Sequence, residues 1–461
     1  LREFEIPLDK LGLNHGQVVS ELRFQKDRGT VQWKAAGVKR YFGGLPKNLL
    51  KIFRQSPEQR TDKDAQALRT HFRETTPILE KENARREVLR TEIAQIEERA
   101  DEVLIARAKE PFEVRILDRG NWMDESGEVV QPAIPAVFGE LDIHGRRPTR
   151  LDLAQWLCAP ENPLTARVFA NRVWQLFFGR GISDSPGDFG AQGNYPANPE
   201  LLDYLAARFR DTNYDIKDLV RHIVSSSTYR QRSKPTPVLR EADPFNALFA
   251  RQGRFRLDAE FIRDNALAAS GLLIERVGGP SAKPYQPAGY YAQLNFPKRK
   301  YTADNDENQY RRGVYTHWQR TFLHPMLKAF DAPTREECTA QRGRSNTPLQ
   351  SLALLNDPTF IEAARAFAER MLQEAEPNPA ARVRWAHETL LHRPPSPETE
   401  KRLLEILVLH AKHYEQAPQD VEAFLSIGNH RPKKSHDPVQ LAAHAAVARV
   451  LLNLHETITR Y

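Results

Sequence analysis

The stretch that most constrains the fold runs from residue 330 to residue 357, where a dense charged segment leads directly into an apolar one. Thr347 and Gln350 fit a capping box, and Pro348 stands at the first helical position. The apolar residues that follow recur at helical spacing, which indicates a helix with one buried face. Asp357 has the character of a second helix cap, so the stretch predicts two successive helices after a charged loop.

The charged half of this stretch has two open interpretations. Three arginines and two acids lie so close together that they must be solvated, paired with each other, or directed at an anionic ligand. One interpretation is an ion-pair network that holds a loop. The other is a ligand or catalytic site, and its catalytic candidates are Asp331, Arg335, Glu336 and Arg344. Cys338 lies among these arginines, but no histidine is close in sequence to act as its base.

Composition excludes several function classes. The chain of 461 residues has a formal net charge of +7, with acids and bases interleaved, so no basic stripe for nucleic acid is apparent. No window is apolar enough to predict a membrane span. Cys158 and Cys338 are too few for a structural zinc site, and there is no C-x-x-C-H haem motif. We therefore expect no metal and no cofactor within this chain.

Changes in composition along the chain predict four segments and a mainly α fold. Residues 1–56 show strand-like runs up to about residue 54 and are interpreted as the tail of a β-sandwich. Residues 57–110 have helical periodicity broken at Pro77, which indicates a helical hairpin or coiled-coil spacer. Residues 111–146 are expected to form a β-hairpin and a proline-rich strap. Residues 147–461 are predicted to form a helical domain.

A second group of candidates follows one polar stripe on the helix that begins near residue 162 and ends at Gly179. These side chains could line a pocket for an anion or a sugar together with residues of the neighbouring loops. The alternative is packing of the helix against a loop through buried arginines. The candidate ligand-binding residues are Arg167, Asn171, Arg172, Gln175, Asp188 and Asn346.

A third dense charge cluster lies between residues 254 and 264, and we interpret it as a salt-bridged helix face. Its members are Arg254, Arg256, Asp258, Glu260, Arg263 and Asp264. His410 and His413 share one helix face further along, but metal binding would need a third ligand. This pair is interpreted as part of a solvated surface.

Several of these motifs occur together in one order along the chain. They include NPLTARV at 162–168, NRVWQ at 171–175, STYRQ at 227–231, FRLDAE at 255–260, FDAP at 330–333 and NTPLQ at 346–350. From about residue 147 to residue 460 the chain resembles the C-terminal domain of unknown function of large planctomycete and verrucomicrobial surface proteins associated with cytochrome c domains.

The resemblance implies an exported protein at the periplasm or cell surface. It implies that c-type haem belongs to an N-terminal module outside this chain or to a haem-bearing partner, and that a lectin-like domain precedes the helical part. A secreted sulfatase-like protein is a further implied partner, and polysaccharide is an implied ligand class. The resemblance carries no reaction and no catalytic residues.

Two functional hypotheses follow. In the first, the helical domain is a structural docking component of a surface complex that contains a c-type cytochrome and a sulfatase-like protein. In the alternative, the chain is an extracellular polysaccharide-processing enzyme with its site around residues 331–346. A concave pocket where this stretch meets the helix of residues 162–178 would favour the enzyme, whereas a flat apolar patch would favour docking.

Overall fold

The chain is mainly helical, as the sequence predicts. The computed structural model describes residues 46–99, 104–293, 300–320, 322–433 and 435–460. The chain divides into two units, Leu1–Glu102 and Val103–Tyr461. Most of the predicted β-sandwich tail, residues 1–45, lies outside the described residues.

The described part of the first unit contains three helices, α1 (Lys47–Arg54), α2 (Asp62–Thr75) and α3 (Glu80–Arg99). The prediction of strands up to about residue 54 is wrong for residues 47–54. Leu49 and Ile52 stand three positions apart and therefore share a helix face, and Leu49 is buried.

The break predicted at Pro77 is confirmed, because a short 3₁₀ turn at Pro77–Leu79 separates α2 from α3. A capping box between Thr61 and Asp64 begins α2. Three side chains of the predicted coiled-coil seam on α3, Leu89, Ile93 and Ile96, are exposed.

The hairpin predicted after residue 111 is present as two short antiparallel strands, β1 (Val114–Arg115) and β2 (Val129–Val130). Val114 pairs with Val130, and Arg115 pairs with Val129. Gly127 is required between them, because a Cβ at this position would lie 1.8 Å from the carbonyl oxygen of Ile116.

The second unit is built from thirteen further helices in its described part. They are α4 (Arg150–Leu157), α5 (Thr165–Phe178), α6 (Pro199–Asp211), α7 (Ile216–Ser225), α8 (Pro237–Ala242), α9 (Ala259–Ser270), α10 (Pro325–Ala329), α11 (Pro348–Asn356), α12 (Pro358–Glu374), α13 (Pro379–Leu391), α14 (Pro397–Gln416), α15 (Pro418–Leu425) and α16 (Pro438–Leu452).

Many of these helices begin with a polar cap residue followed by proline. The side chains of Asn378, Ser396 and Asp437 each accept a hydrogen bond from a backbone N–H of the first helical turn. Proline fits the next position because its missing N–H would have no partner inside the helix. This repeated signal fixes where α13, α14 and α16 start.

The helices of the second unit enclose two hydrophobic cores. In the larger core, α12 and α16 pack against each other through small side chains such as Ala363, Ala364 and Ala443, all fully buried. The smaller core lies between α5, α6 and α7, where the rings of Trp174 and Phe178 stack with centroids 4.1 Å apart. Burial of this apolar surface is the main stabilising contribution to both cores.

A second small sheet, which the sequence did not reveal, joins distant parts of the chain. Strand β3 (Phe255–Arg256) pairs antiparallel with β4 (Thr459–Arg460), close to the C-terminal end of the chain. The backbone N–H of Leu257 continues this pairing by donating to the carbonyl of Ile458. The sheet fixes the chain that leads into α9, where several charged residues stand close together.

Buried arginines hold the irregular chain between α9 and α10. Arg263 on α9 is fully buried and donates to the carbonyls of Gln309 and Arg311, at 2.5 and 2.6 Å. Arg311 is also fully buried; it donates to the carbonyl of Pro280 and lies over the ring of Tyr315. These guanidinium groups satisfy carbonyls that no helix or sheet satisfies.

Candidate functional site

The start of α9 supplies carboxylates that contact the predicted site. Asp258 occupies the N-cap position, but its carboxylate makes no cap hydrogen bond there. Its oxygens lie 3.8 Å from Arg342 and 3.9 Å from Arg344 instead. The sequence predicted that the charges between residues 254 and 264 form a salt-bridged helix face. Asp258 of this cluster instead lies near arginines of the 330–346 stretch.

Glu260 is the strongest contact between α9 and that stretch. Its carboxylate accepts hydrogen bonds from both terminal nitrogens of Arg342, at 2.6 and 3.2 Å. The Glu260 side chain is only 11% exposed and that of Arg342 is 32% exposed. Burial lowers the pKa of Arg342, but the hydrogen bonds that it donates to Glu260 and the negative charges of Glu260 and Asp258 together outweigh burial, so the pKa is raised.

Asp331 closes the upstream end of the stretch. Its carboxylate lies 2.6 Å from Arg256 of β3 and accepts from the backbone N–H of Ser345 at 2.8 Å. Burial alone would raise the pKa of Asp331, but the bonds from Arg256 and Ser345 hold it below its usual value. Arg256 also donates to the carbonyl of Ser345, so three segments of the chain meet here.

Arg344 connects the stretch to α5. Its guanidinium donates to the carbonyl of Gly179 at 3.2 Å and stacks over the ring of Phe255, 4.7 Å from the centroid. Gly179 ends α5 in the left-handed conformation, with φ +77°, and a Cβ there would lie 2.4 Å from the Phe255 ring. The 330–346 stretch therefore contacts α5 at the C-terminal end of that helix, through the carbonyl of Gly179.

The other predicted catalytic candidates lie at the surface. Arg335 stacks on the indole of Trp318, with its guanidinium carbon 3.5 Å from the ring centroid. Glu336 is 4.0 Å from Arg320, which is 76% exposed. Cys338 is an exposed free thiol.

We use the name charge row for the charged side chains of β3, of the start of α9 and of the 331–344 loop that interact with one another. It contains four arginines and three carboxylates. Its members are Arg256, Asp258, Glu260, Asp331, Arg335, Arg342 and Arg344.

The polar stripe predicted on α5 does not form one surface. Asn171 is fully buried, and its amide binds the backbone N–H and carbonyl of Ser183, both at 2.9 Å. Arg167 pairs with Asp203 of α6 at 2.6 Å, whereas Arg172 is exposed. Successive helical positions are about 100° apart, which separates Asn171 from Arg172. Gln175 is half-buried.

The loop after α5 satisfies its own polar groups. Asp188 accepts from the backbone N–H of Gly190 at 2.7 Å, and Asp184 pairs with Arg180 at 2.5 Å. The loop comes close to the 330–346 stretch at Gly187, where a Cβ would lie 3.8 Å from that of Ala340. Asn346, the last ligand-binding candidate, is exposed.

A buried polar network around α12 was missed at the sequence level. Glu362 is 1% exposed and accepts from the hydroxyls of Tyr285 and Tyr310, at 3.0 and 2.8 Å. Burial, reinforced by Glu362, raises the pKa of Tyr285 and of Tyr310 far above the usual range. Arg365 lies one turn further along α12 and donates to the carbonyl of Ile427. The sequence did carry a signal for this network, because Glu362 and Arg365 stand three positions apart among the alanines of α12.

The described residues show neither a metal cluster nor a membrane-spanning helix. Across these ranges, no three His, Cys, Asp or Glu side chains come together in a group that could bind a metal ion. Each helix in the described part is too short or too polar to cross a bilayer. Two surface cavities, on α14 and between α1 and α2, are lined by residues outside the charge row.

Comparison with known proteins gives one match. The sequence model of the family described as "Protein of unknown function (DUF1553)" matches residues 149–407, which is more than half of the chain. The match includes α5, α9 and the whole charge row. No curated protein and no solved structure matches the chain.

Proposed function

We propose that this chain, which belongs to the DUF1553 family of proteins of unknown function, is a structural docking component of an exported cell-envelope complex. Its partners in this proposal are a c-type cytochrome module and a sulfatase-like secreted protein. The motifs at 162–175, 255–260 and 330–350 support the choice of partners, because they resemble the surface proteins associated with cytochrome c.

One observation carries the choice of docking over hydrolysis. The carboxylates of the charge row are held by arginines, most closely Glu260 by Arg342 and Asp331 by Arg256. Hydrolysis of a glycosidic bond needs one carboxyl group that is protonated and can donate its proton. The pKa of Asp331 is lowered, so this group stays ionised at neutral pH. The charge row is thus suited to holding the chain together.

The surface that we assign to docking is the outer face of α14. Val408 and Leu409 are 67% and 65% exposed, and Leu404 stands one turn before Val408. Together they line a shallow, open groove between the side chains of this one helix. Exposed apolar surface of this kind in a helical domain commonly receives an amphipathic helix, whose apolar side chains recur every three or four residues.

Charge at the groove specifies the occupant further. Of the charged residues that line it, Glu400 is held by Arg384 at 2.8 Å and Glu405 lies 4.0 Å from Lys401. Lys412 has no ion-pair partner among the described residues. We therefore assign the groove to a partner helix that carries an acidic side chain opposite Lys412.

The test uses the full chain co-expressed with the cytochrome module and the sulfatase-like protein. Val408→Asp places a charge in the groove and should abolish co-elution of haem absorbance with the chain. Val238→Asp is the matched control, because Val238 is 74% exposed on α8. Co-elution that survives Val408→Asp, or that is lost equally in both variants, contradicts the proposal.

A separate assay addresses the enzyme alternative. Purified chain should not cleave acidic or neutral polysaccharides, as measured by release of reducing ends. Cleavage by the wild-type chain that disappears in Asp331→Asn would support the alternative instead, because Asp331 is the carboxylate among the sequence candidates that accepts hydrogen bonds from Ser345.

A further inference from the structure

Arg335 differs from the other arginines of the charge row in having no acidic partner. Within the described residues it makes no hydrogen bond and no ion pair, and its guanidinium carbon lies over the indole of Trp318, 3.5 Å from the ring centroid. Stacking uses the face of a guanidinium, whereas its N–H groups lie in the plane and stay available. Arg335 therefore presents an oriented set of unused donors.

The backbone and the platform around Arg335 are both fixed. Arg335 adopts a left-handed conformation with φ +63°, which is uncommon for a residue other than glycine. The indole N–H of Trp318 donates to the carbonyl of Thr334 at 3.0 Å, which fixes the ring beside the preceding residue. Uncommon backbone conformations persist where the surroundings hold them and are concentrated at ligand-binding positions.

Arg335 keeps its charge without an ion pair. Glu260, the acid whose charge acts on Arg335, is already bound by both terminal nitrogens of Arg342. Burial lowers the pKa of Arg335; the charge of Glu260 opposes this lowering and the charge of Arg342 adds to it. Arginine nevertheless stays charged at physiological pH, so Arg335 presents a positive charge that no ion pair holds within the described residues.

We propose that Arg335, stacked on Trp318, is a receptor for an oxyanion, namely a carboxylate, sulfate or phosphate group. This inference is independent of the docking face on α14, which other residues form. Two N–H groups of a guanidinium can donate to two oxygens of such a group. Because the Trp318 ring already holds the Arg335 side chain in place, binding costs less conformational entropy than it would for a freely moving arginine. Binding is non-covalent and involves no transfer of atoms or electrons.

Isothermal titration of the full chain at low ionic strength tests the proposal. Three probes distinguish the source of the anion: inorganic phosphate, a sulfated oligosaccharide and a uronate oligosaccharide. The chain should bind at least one of them, and Arg335→Gln should weaken that binding about tenfold or more. Arg335→Lys should also weaken it, by about threefold or more, because lysine keeps the charge but loses the fork.

Arg320→Gln is the matched control. It removes the same charge from the same surface, and Arg320 is 76% exposed with only a 4.0 Å contact to Glu336. It should change the affinity less than about twofold. Equal weakening by Arg320→Gln and Arg335→Gln would mean unspecific attraction and would overturn the proposal. So would wild-type affinity in Arg335→Gln, full retention in Arg335→Lys, or no binding of any probe.

Discussion

The carboxylate of Glu260 holds the guanidinium of Arg342 by two hydrogen bonds, although 82 positions separate the two residues in the sequence. Glu260 stands in the first turn of α9, and Arg342 stands in the loop before α11. Their pairing places the loop across the start of α9. The other contacts of the charge row extend this connection to β3 and to the end of α5.

Asp331 should make stability depend on pH in the acid range. Its folded-state pKa is lower than the unfolded value of about 4, so its contribution is present above pH 4 and is lost as pH falls through the folded pKa. Asp331→Asn should cost about 1 kcal/mol at pH 7, because the pair with Arg256 is partly exposed.

The measurement is urea unfolding of both proteins between pH 7 and pH 2. The difference in free energy of unfolding should shrink as pH falls below about 4. A difference that stays constant over this range would show that the charge of Asp331 does not stabilise the folded state.

Arg344→Ala should destabilise the second unit by about 1–2 kcal/mol. The substitution removes the stack on Phe255 and the hydrogen bond to Gly179, and the arginine is already one-third exposed at 32%. Thermal melting followed by circular dichroism measures the effect. Arg172→Ala, an exposed arginine on α5, serves as the control and should leave the melting temperature nearly unchanged. Equal melting of all three proteins would rule out the tie at Gly179.

Arg263→Met should be more costly, at about 3 kcal/mol or more, because it leaves two buried carbonyls without donors. Arg263 is fully buried and binds Gln309 and Arg311. Arg312→Met is the neighbouring control, since the Arg312 side chain is 47% exposed. Chemical denaturation of both variants measures the difference, and similar midpoints would refute the role given to Arg263.

His324 should weaken the fold as pH falls from about 6.5 to 4. Burial lowers its pKa to about 4, with Arg263 adding a smaller effect. Below pH 6.5 the unfolded chain binds a proton that the folded chain does not, so stability decreases until about pH 4 and then levels off. The loss attributable to His324 is about 3 kcal/mol.

Urea titrations of the wild type and His324→Gln should show this contribution directly. The variant should lose about 3 kcal/mol less than the wild type between pH 6.5 and pH 4. His392, which is exposed, provides a control in His392→Gln. Parallel pH profiles for the wild type and His324→Gln would contradict the lowered pKa.

The sequence predicted helix boundaries well wherever local chemistry determines them. The capping box of Thr347 and Gln350 begins α11, and Gly179 in its left-handed conformation ends α5, both as expected. These signals act over three or four residues and do not depend on the rest of the fold.

The charge row was predicted only in part, because its pairing is decided by tertiary structure. The sequence identified the 330–346 stretch and the 254–264 cluster, but it treated them as separate groups. Their contact depends on β3 pairing with β4, two strands of two residues each that lie about 200 residues apart in the sequence. Strands so short carry no periodicity that distinguishes them from loop.

The stripe on α5 shows a second limit of sequence reasoning. Polar residues at helical spacing were interpreted as one surface, yet Asn171 turns inward to bind the backbone of Ser183. An asparagine that satisfies a buried loop has the same pattern as one that faces a ligand. Only its environment distinguishes the two roles.

The charged loop ahead of α11 is bound to α9 through the pair of Glu260 and Arg342, and a double-mutant cycle measures the strength of this pair. The free energy of unfolding is measured for the wild type, Glu260→Gln, Arg342→Met and the double variant. We expect a coupling energy of about 1–3 kcal/mol between Glu260 and Arg342. A coupling energy below about 0.3 kcal/mol would mean that the two residues act independently and that the loop is not bound to α9 through this pair.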